Sequence, residues 1–313
     1  MTVRTRSLWA LVSALLLSSG LLALRGIVPA EVAPSERAYW DAIAEILKQE
    51  QAGLERRTDL WEDHSTWDDA WIVEGENFSV RTTHSRSLGL EILEGQESMR
   101  GFIKELLEGP DRQGDACPIF LLADRAAYNT FGNDHGEHHS SILGGFYATG
   151  HPEQPIATYL DASRTRTQMW ITHNVVHHYL GQNFRGQVPV WVSEGLASYF
   201  ALFWDFGYGV RELATLKQEG RLVPFDKLTS ESLSAYPSDP HARFIQLGML
   251  FSYLLRFNED TRRLEGESLP LAPFDEFLRA SVRGTSVDSL PFSLYLDEQS
   301  EALLEGFLEC EFE

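Results

Sequence analysis

Apolar residues in the first half of the chain form short runs that are typical of strands, and one longer stretch between them has the spacing of a helix. Strands are predicted at residues 78–83, 118–123, 145–147 and 156–160. Residues 88–107 place their apolar side chains at helical spacing. A loop containing glycine and proline joins the last two strands. These elements predict a small mixed α/β lobe.

From about Ser163 onward, apolar residues recur at helical spacing only. A first helix is predicted to end at Gly181, and a second is predicted to begin near Trp191, after Pro189. Two further helices are predicted over residues 246–257 and 300–312. The second half of the chain is therefore predicted to be mainly helical.

Together the two halves predict an α+β fold, with a mixed lobe over residues 76–162 and a helical lobe over residues 163–313. Residues 31–75 are interpreted as a lead-in segment, in which a helix begins at Ser35 and an acidic, tryptophan-rich surface connection follows. The sequence contains no internal repeat and no low-complexity linker. We therefore expect one globular unit.

The first residues have the pattern of an export segment. Arg4 and Arg6 precede an apolar run from Leu8 to Leu24. Residues 1–30 are therefore predicted to be either a cleaved signal peptide or a membrane anchor, with membrane attachment through residues 7–24 in the second case. The expected location is periplasmic, extracellular or on the outer face of the cytoplasmic membrane.

Charge and cysteine content narrow the classes of partner and fold. The net charge of −20, from 46 acidic and 26 basic residues, would repel a phosphate backbone, so no nucleic-acid partner is expected. The chain has only two cysteines, Cys117 and Cys310, too few for a disulfide scaffold. One bridge between them and two free thiols are both compatible with export.

Candidate metal chemistry lies in the predicted helical half. His173 and His177 are four positions apart on a predicted helix, so both imidazoles project from one face. Glu194 follows early in the next predicted helix, within Glu-Gly-Leu-Ala. Two histidines from one helix and a glutamate from the next can form a three-ligand zinc site with an open fourth position.

The two passages that contain these residues, 170–180 and 188–200, resemble gluzincin zinc metallopeptidases of the peptidase MA-like group. In that family, a His-Glu-x-x-His helix is followed by a helix with Pro-x-Trp-x-x-Glu-Gly-x-Ala-x-Tyr. The resemblance covers most of residues 78–312 and is closest to an exported bacterial branch without an assigned substrate. It implies a zincin-like metallopeptidase fold over residues 76–313, with His173, His177 and Glu194 as the ligands of one Zn2+ ion.

The resemblance places Asn174 where the family has its general-base glutamate. That glutamate takes a proton from the attacking water and passes it to the leaving nitrogen, which an amide cannot do. Ser198 occupies a place where thermolysin-like members often have a carboxylate that orients a zinc histidine. Phe244 occupies a position where relatives frequently have an oxyanion-stabilising tyrosine, a role that His241 or Tyr236 could take instead.

A second histidine cluster lies at residues 134–139. His135 and His139 have the same spacing as the predicted ligands, with Glu137 between them, but the surrounding residues predict a solvated loop instead of a metal site. His178 lies about 100° around the helix from His177 and is expected to pack or to face solvent.

Three functions are compatible with these residues. The first is a zinc-binding protein with impaired or lost hydrolysis that binds a peptide, a protein or another surface polymer in the cleft. The second is an active, divergent zinc metallopeptidase that uses another base, such as Glu137 or His178. The third is a metal-free structural or interaction module on the cell exterior.

Overall fold

The computed structural model describes residues 64–110, 115–135, 144–148, 151–184, 188–229, 239–264, 274–285 and 307–308. The export segment, the helix expected after Ser35 and most of the helix expected over residues 300–312 lie outside these ranges. Among the described helices, none is both long enough and apolar enough to cross a membrane.

Five strands form one mixed sheet. They are β1 (Trp71–Glu74), β2 (Phe78–Thr82), β3 (Cys117–Leu122), β4 (Gly145–Tyr147) and β5 (Ile156–Tyr159), in the order β1-β2-β3-β5-β4. The three central strands β2, β3 and β5 are parallel, and an antiparallel strand lies at each edge. Four strands match the prediction, whereas β1 lies at the end of the lead-in segment 31–75, where no strand was predicted.

Eight described helices complete the fold. They are α1 (Arg86–Leu107), α2 (Arg125–Asp134), α3 (Arg164–Asn183), α4 (Val190–Leu202), α5 (Phe206–Gln218), α6 (Phe225–Leu228), α7 (Pro240–Leu264) and α8 (Phe274–Val282). The chain is thus a mixed protein with a small sheet and mostly helical content, which is compatible with the α+β class. Helices α2, α5, α6 and α8 were not predicted.

The sheet separates two apolar clusters of unequal size. Alternate side chains such as Val80, Leu121 and Ile156 join the large core, which contains residues of α1 and α3. On the opposite face, Phe146 and Ala157 join a small cluster with residues of α2. The large core continues through α4, α5 and α7, so α3 is buried between the sheet and the helical half of the chain.

Helix α3 continues past the residue that was predicted to end it. Ser163 caps its start by accepting a hydrogen bond from the Arg166 amide at 3.4 Å. The prediction that Gly181 ends the helix is wrong, because the helix runs to Asn183 and Phe184 then turns into extended backbone. Phe184 is buried in the core, so apolar packing and not the glycine sets the end of the helix.

Cys117, at the start of β3, is buried and forms no disulfide. Burial raises the pKa of its thiol to about 12, so the group is neutral at physiological pH. Cys310 lies outside the described residues, and a bridge between the two cysteines is not part of the described structure.

Gly195 allows α4 and α7 to approach closely. A Cβ atom at this position would lie 2.1 Å from Cε2 of Phe251, a distance that no real contact adopts. Phe251 is completely buried, so its ring has no free space into which to move. The glycine after Glu194 is therefore required by the packing of the helix that carries this carboxylate.

Substitution of Gly195 by alanine is expected to destabilise the protein by about 1–3 kcal/mol through overpacking against Phe251. The matched control is Gly101→Ala in α1, where a Cβ atom would meet nothing within 4 Å. Because glycine is a poor helix former, that change is expected to stabilise the protein by about 0.5–1 kcal/mol. Chemical denaturation measures both changes, and equal effects at the two positions would contradict the packing argument.

Candidate metal site

Three predicted ligands converge where α3 meets α4. Nε2 of His173 lies 3.2 Å from Nε2 of His177. The Glu194 carboxylate places Oε2 at 3.5 Å from the His173 nitrogen and Oε1 at 3.5 Å from the His177 nitrogen. One ligand atom from each residue can be chosen so that all three lie within 4.8 Å of one another. In the described part of the chain, this is the only group of three such residues that could hold a metal ion.

The spacing of the two histidine nitrogens fits a single tetrahedral ion. Two bonds of about 2.0–2.1 Å that meet at a tetrahedral angle place their ligand atoms about 3.3–3.4 Å apart. The two Nε2 atoms are 3.2 Å apart, close to that value, and Glu194 faces each of them with a different carboxylate oxygen. Two nitrogens and one oxygen from three protein residues are also a donor set that zinc commonly accepts.

The protonation states of His177 and Glu194 at neutral pH also favour metal binding. Burial lowers the pKa of His177 to about 4 against the opposing effect of Glu194, so its imidazole is neutral. Burial alone would raise the pKa of Glu194, but the nearby His177, His173 and Arg243 outweigh it and bring the pKa down to about 2. The neutral imidazole of His177 and the ionised carboxylate of Glu194 are the forms that bind metal.

The Nδ1 atoms of His173 and His177, which do not face Glu194, have different surroundings. Nδ1 of His177 lies 3.0 Å from Oγ of Ser193, which can accept its proton. Nδ1 of His173 is buried and has no hydrogen-bond partner among the described residues, and the same is true of Oγ of Ser198. Thus Ser198 forms no described hydrogen bond to either imidazole.

A buried polar network holds the metal-site turn of α3 against its neighbours. Gln96 of α1 donates to Gln168 at 2.7 Å and accepts from Thr172 at 3.0 Å. Thr172 in turn accepts from the Trp204 indole at 2.7 Å. Every bond in the network is buried, so the position next to His173 is held by paired polar groups as well as by apolar contacts.

Asn174 lies beside the ligand cluster, but its amide is turned back onto its own helix. Nδ2 donates to the Trp170 carbonyl at 2.9 Å, and the residue is buried. A Cβ atom built on Gly145 would lie 3.3 Å from this Nδ2, so Asn174 also marks the contact between α3 and the edge strand β4. The side chain therefore acts as a hydrogen-bond donor in this position.

Phe244 packs directly on the ligand cluster. Its ring centroid lies 5.6 Å from that of His173 and 5.5 Å from that of Trp170, and the residue is buried. The predicted oxyanion position is therefore apolar and close to the predicted metal ligands. Of the alternatives, His241 pairs with Glu212 at 3.1 Å, and Tyr236 lies outside the described residues.

Of the other candidate residues from the sequence, His178 and His135 are described by the structure. His178 packs near the rings of Phe78 and Tyr147, as expected for a residue away from the ligand face. Burial, together with the charge of Arg100, lowers the pKa of His178 to about 4. His135 forms the end of α2, whereas Glu137 and His139 lie outside the described residues.

Arg243 is a residue of this site that the sequence analysis missed. It is 1% exposed, on α7, and its positive charge helps to lower the pKa of Glu194. Its isolation in the apolar stretch 242–251 was a signal that could have identified it, because a buried arginine requires acceptors or an opposite charge nearby.

A scan against protein-family models finds no match to this chain, and a search of curated proteins finds none either.

Proposed function

We propose that this chain is an exported, gluzincin-like zinc-binding protein in which hydrolysis is impaired or lost and an extended peptide binds beside the metal. The convergence of His173, His177 and Glu194 carries the proposal. These residues would hold the ion, which in a peptidase would polarise the scissile carbonyl and activate water. A zincin-like fold is the architecture that we propose for the two lobes around them.

The side chains beside the ligands favour binding over hydrolysis. Asn174 cannot shuttle a proton, and its amide already donates to Trp170. Phe244 offers no hydroxyl to a developing oxyanion next to His173. Loss of a positioned acid–base group lowers the rate of such reactions by about 10²- to 10⁴-fold. A retained metal without these groups is suited to holding a carbonyl oxygen and not to cleaving the bond beside it.

The edge strand β4 provides the place for the peptide. The amide of Ala148 donates to Pro155 next to β5, and hydrogen bonding alternates along an antiparallel pair. The backbone groups of Gly145 and Tyr147 therefore face away from β5, and within the described residues no hydrogen bond is assigned to them. Gly145 contacts α3 beside Asn174, so a strand added to this edge would lie close to the ligand cluster.

Tyr147→Pro and Tyr147→Ala separate backbone pairing from side-chain contact. Both remove the phenol, but only proline removes the outward amide, and prolines are tolerated on edge strands. We expect Tyr147→Pro to bind labelled, extended peptides at least about tenfold more weakly than Tyr147→Ala, since a backbone hydrogen bond and the added strand are lost.

The measurement is fluorescence anisotropy with the full zinc-loaded chain, followed by mass spectrometry of the recovered peptides. Peptides recovered intact from the wild type support the binding role. Equal affinities of the two variants would exclude pairing on β4, and peptides cut in a chelator-sensitive way by the wild type would favour the active-peptidase alternative.

A further inference from the structure

A second group of cationic and aromatic side chains lies on the opposite face of the sheet from α3. Arg81 of β2 is the cross-strand partner of Phe120 of β3, and the Phe120 ring lies 5.9 Å from that of Phe131 in α2. His151 precedes β5, and His135 follows α2. Because Val80 joins the large core, its neighbour Arg81 faces the α2 side. The group is therefore separated from the metal site by the sheet itself.

Arg81 is held in place without a carboxylate partner among the residues that the structure describes. Its guanidinium carbon lies 4.8 Å from the centroid of the Trp67 ring and 6.0 Å from that of Phe120. Nη2 donates to the Trp67 carbonyl at 2.6 Å, while Nε is buried and unpaired within the described residues. No described carboxylate forms an ion pair with this guanidinium, although acidic residues outnumber basic ones in the chain. A partly buried arginine with unused donors is a binding group for an anion.

Two histidines lie next to this arginine. The His151 ring centroid lies 5.5 Å from that of Phe120, so the same phenyl ring lies next to both His151 and Arg81. The His135 centroid lies 4.7 Å from that of His151. Nδ1 of His151 accepts the Glu153 amide at 3.1 Å, which assigns the imidazole proton to Nε2 as a further donor. Burial lowers the pKa of His151, and the charges of His135 and Arg81 act in the same direction against Glu153.

The charges around His135 and His151 differ from those around His173 and His177, the two histidines of the candidate metal site. The rings of His135 and His151 are 4.7 Å apart at 77°, and those of His173 and His177 are 4.8 Å apart at 79°. The metal pair faces the carboxylate of Glu194, which favours a cation. His151 instead lies near the guanidinium of Arg81 as well as the carboxylate of Glu153, so its surroundings include a fixed positive charge that an oxyanion can bind.

We infer that Arg81, His151 and His135 form a binding site for an oxyanion, a carboxylate or a phosphate group. The unused guanidinium donors of Arg81 and the Nε2 proton of His151 supply charge-assisted hydrogen bonds to the oxyanion. The half-buried rings of Trp67 and Phe131 provide an apolar border that excludes water from one side. This site does not depend on the proposed function, because it uses neither the metal ligands nor β4.

The test is a titration of the full chain, labelled at histidine Cε1, with sodium phosphate and separately with sodium acetate, at constant ionic strength set by sodium chloride. Among the signals of the ten histidines, those of His135 and His151 are expected to shift saturably, while those of His173 and His177 stay in place. His135→Gln and His151→Gln assign the two signals. Whichever anion binds more tightly identifies the source of the oxyanion.

Arg81→Met is expected to weaken this binding at least about tenfold, because a charged hydrogen-bonding partner is lost. Arg81→Lys keeps the charge without the planar fork, and we expect an intermediate affinity. The matched control is Arg221→Met, since Arg221 is already paired with Glu219 and Asp239. Thermal unfolding establishes that each variant is folded.

Three results would overturn the inference. One is the absence of a saturable shift at His135 and His151 with either anion, which would mean that the site takes no oxyanion or that the chain itself fills it. A second is a shift that is unchanged in both Arg81 variants. The third is a response of the His135 and His151 signals to zinc chloride that is as strong as their response to the anions, which would indicate a metal pair.

Discussion

Alanine in place of His173 is expected to reduce bound zinc from about one ion per purified chain to almost none. The substitution leaves two ligands, His177 and Glu194, which lie 3.5 Å apart on neighbouring helices. Since the loss of an outer hydrogen-bond partner already weakens metal sites by about 10- to 100-fold, the loss of a ligand should weaken binding by more than about 100-fold. Elemental analysis of protein purified without chelator measures the content directly.

Thermal unfolding with added zinc provides an independent measure. At about 100 times its Kd, an ion that binds only the folded state stabilises it by about 2.7 kcal/mol, and this zinc-dependent gain should disappear in His173→Ala. Because His173 is buried against Phe244, His173→Gln serves as a second variant that leaves a smaller cavity.

The control is His241→Ala, since His241 is also paired with a glutamate, Glu212, at 3.1 Å. This variant is expected to retain the zinc of the wild type. A wild type that stays metal-free after zinc is offered would contradict the prediction and favour the metal-free module. Equal zinc in His173→Ala and wild type would place the ion elsewhere in the chain.

The ligand cluster could be predicted because its geometry is mostly local. The spacing of His173 and His177 fixes their common face once the segment is helical, and α3 has a capping serine, Ser163, at its start. Only the approach of Glu194 required tertiary information, and the motif resemblance supplied that expectation. The sheet strands β2 and β3 were predictable for a similar reason, since their alternation or burial is continuous over several residues.

Features that depend on contacts between distant segments could not be predicted. Strand β1 has four residues, and its side-chain pattern becomes meaningful only when it pairs with β2. The apolar surroundings of Arg243 indicate that it needs a buried partner, but only the folded chain shows that its charge acts on Glu194. The grouping of Arg81 with His151 was also missed, because residues on separate strands and loops meet there only after the sheet has formed.

The orientation of the Asn174 amide also depends on the folded helix. The resemblance predicted that Asn174 stands in the place of a carboxylate, but the sequence could not show that its amide donates to Trp170 within the same helix. This hydrogen bond affects the expected result of substituting Asn174 by glutamate. A carboxylate at position 174 has no proton to donate to that carbonyl at neutral pH and would be repelled by it, so the side chain must turn away from the helix backbone.

Substitution Asn174→Glu is therefore expected to create zinc-dependent cleavage of unfolded casein that the wild type lacks, by placing a general base beside the ligand cluster. The gain should be at most about 10²- to 10⁴-fold, the usual contribution of such a group. Full activity is not expected, because Phe244 leaves the oxyanion without a hydroxyl donor and Ser198 makes no described hydrogen bond to an imidazole. Loss of the Trp170 bond and burial of a charge should also destabilise the variant by about 1–3 kcal/mol.

The sharpest control is Asn174→Gln, which has the length of glutamate and no titratable group, and which should remain inactive. The double variant His173→Ala/Asn174→Glu should also be inactive, because the new base would have no metal to act with. Cleavage is followed by mass spectrometry of casein and of a peptide library, with and without chelator. Chelator-sensitive cleavage by the wild type that survives Asn174→Ala would show that another base operates. A folded, zinc-loaded Asn174→Glu that cuts nothing would show that the site has lost more than its base, since position 174 would then carry the required carboxylate without effect.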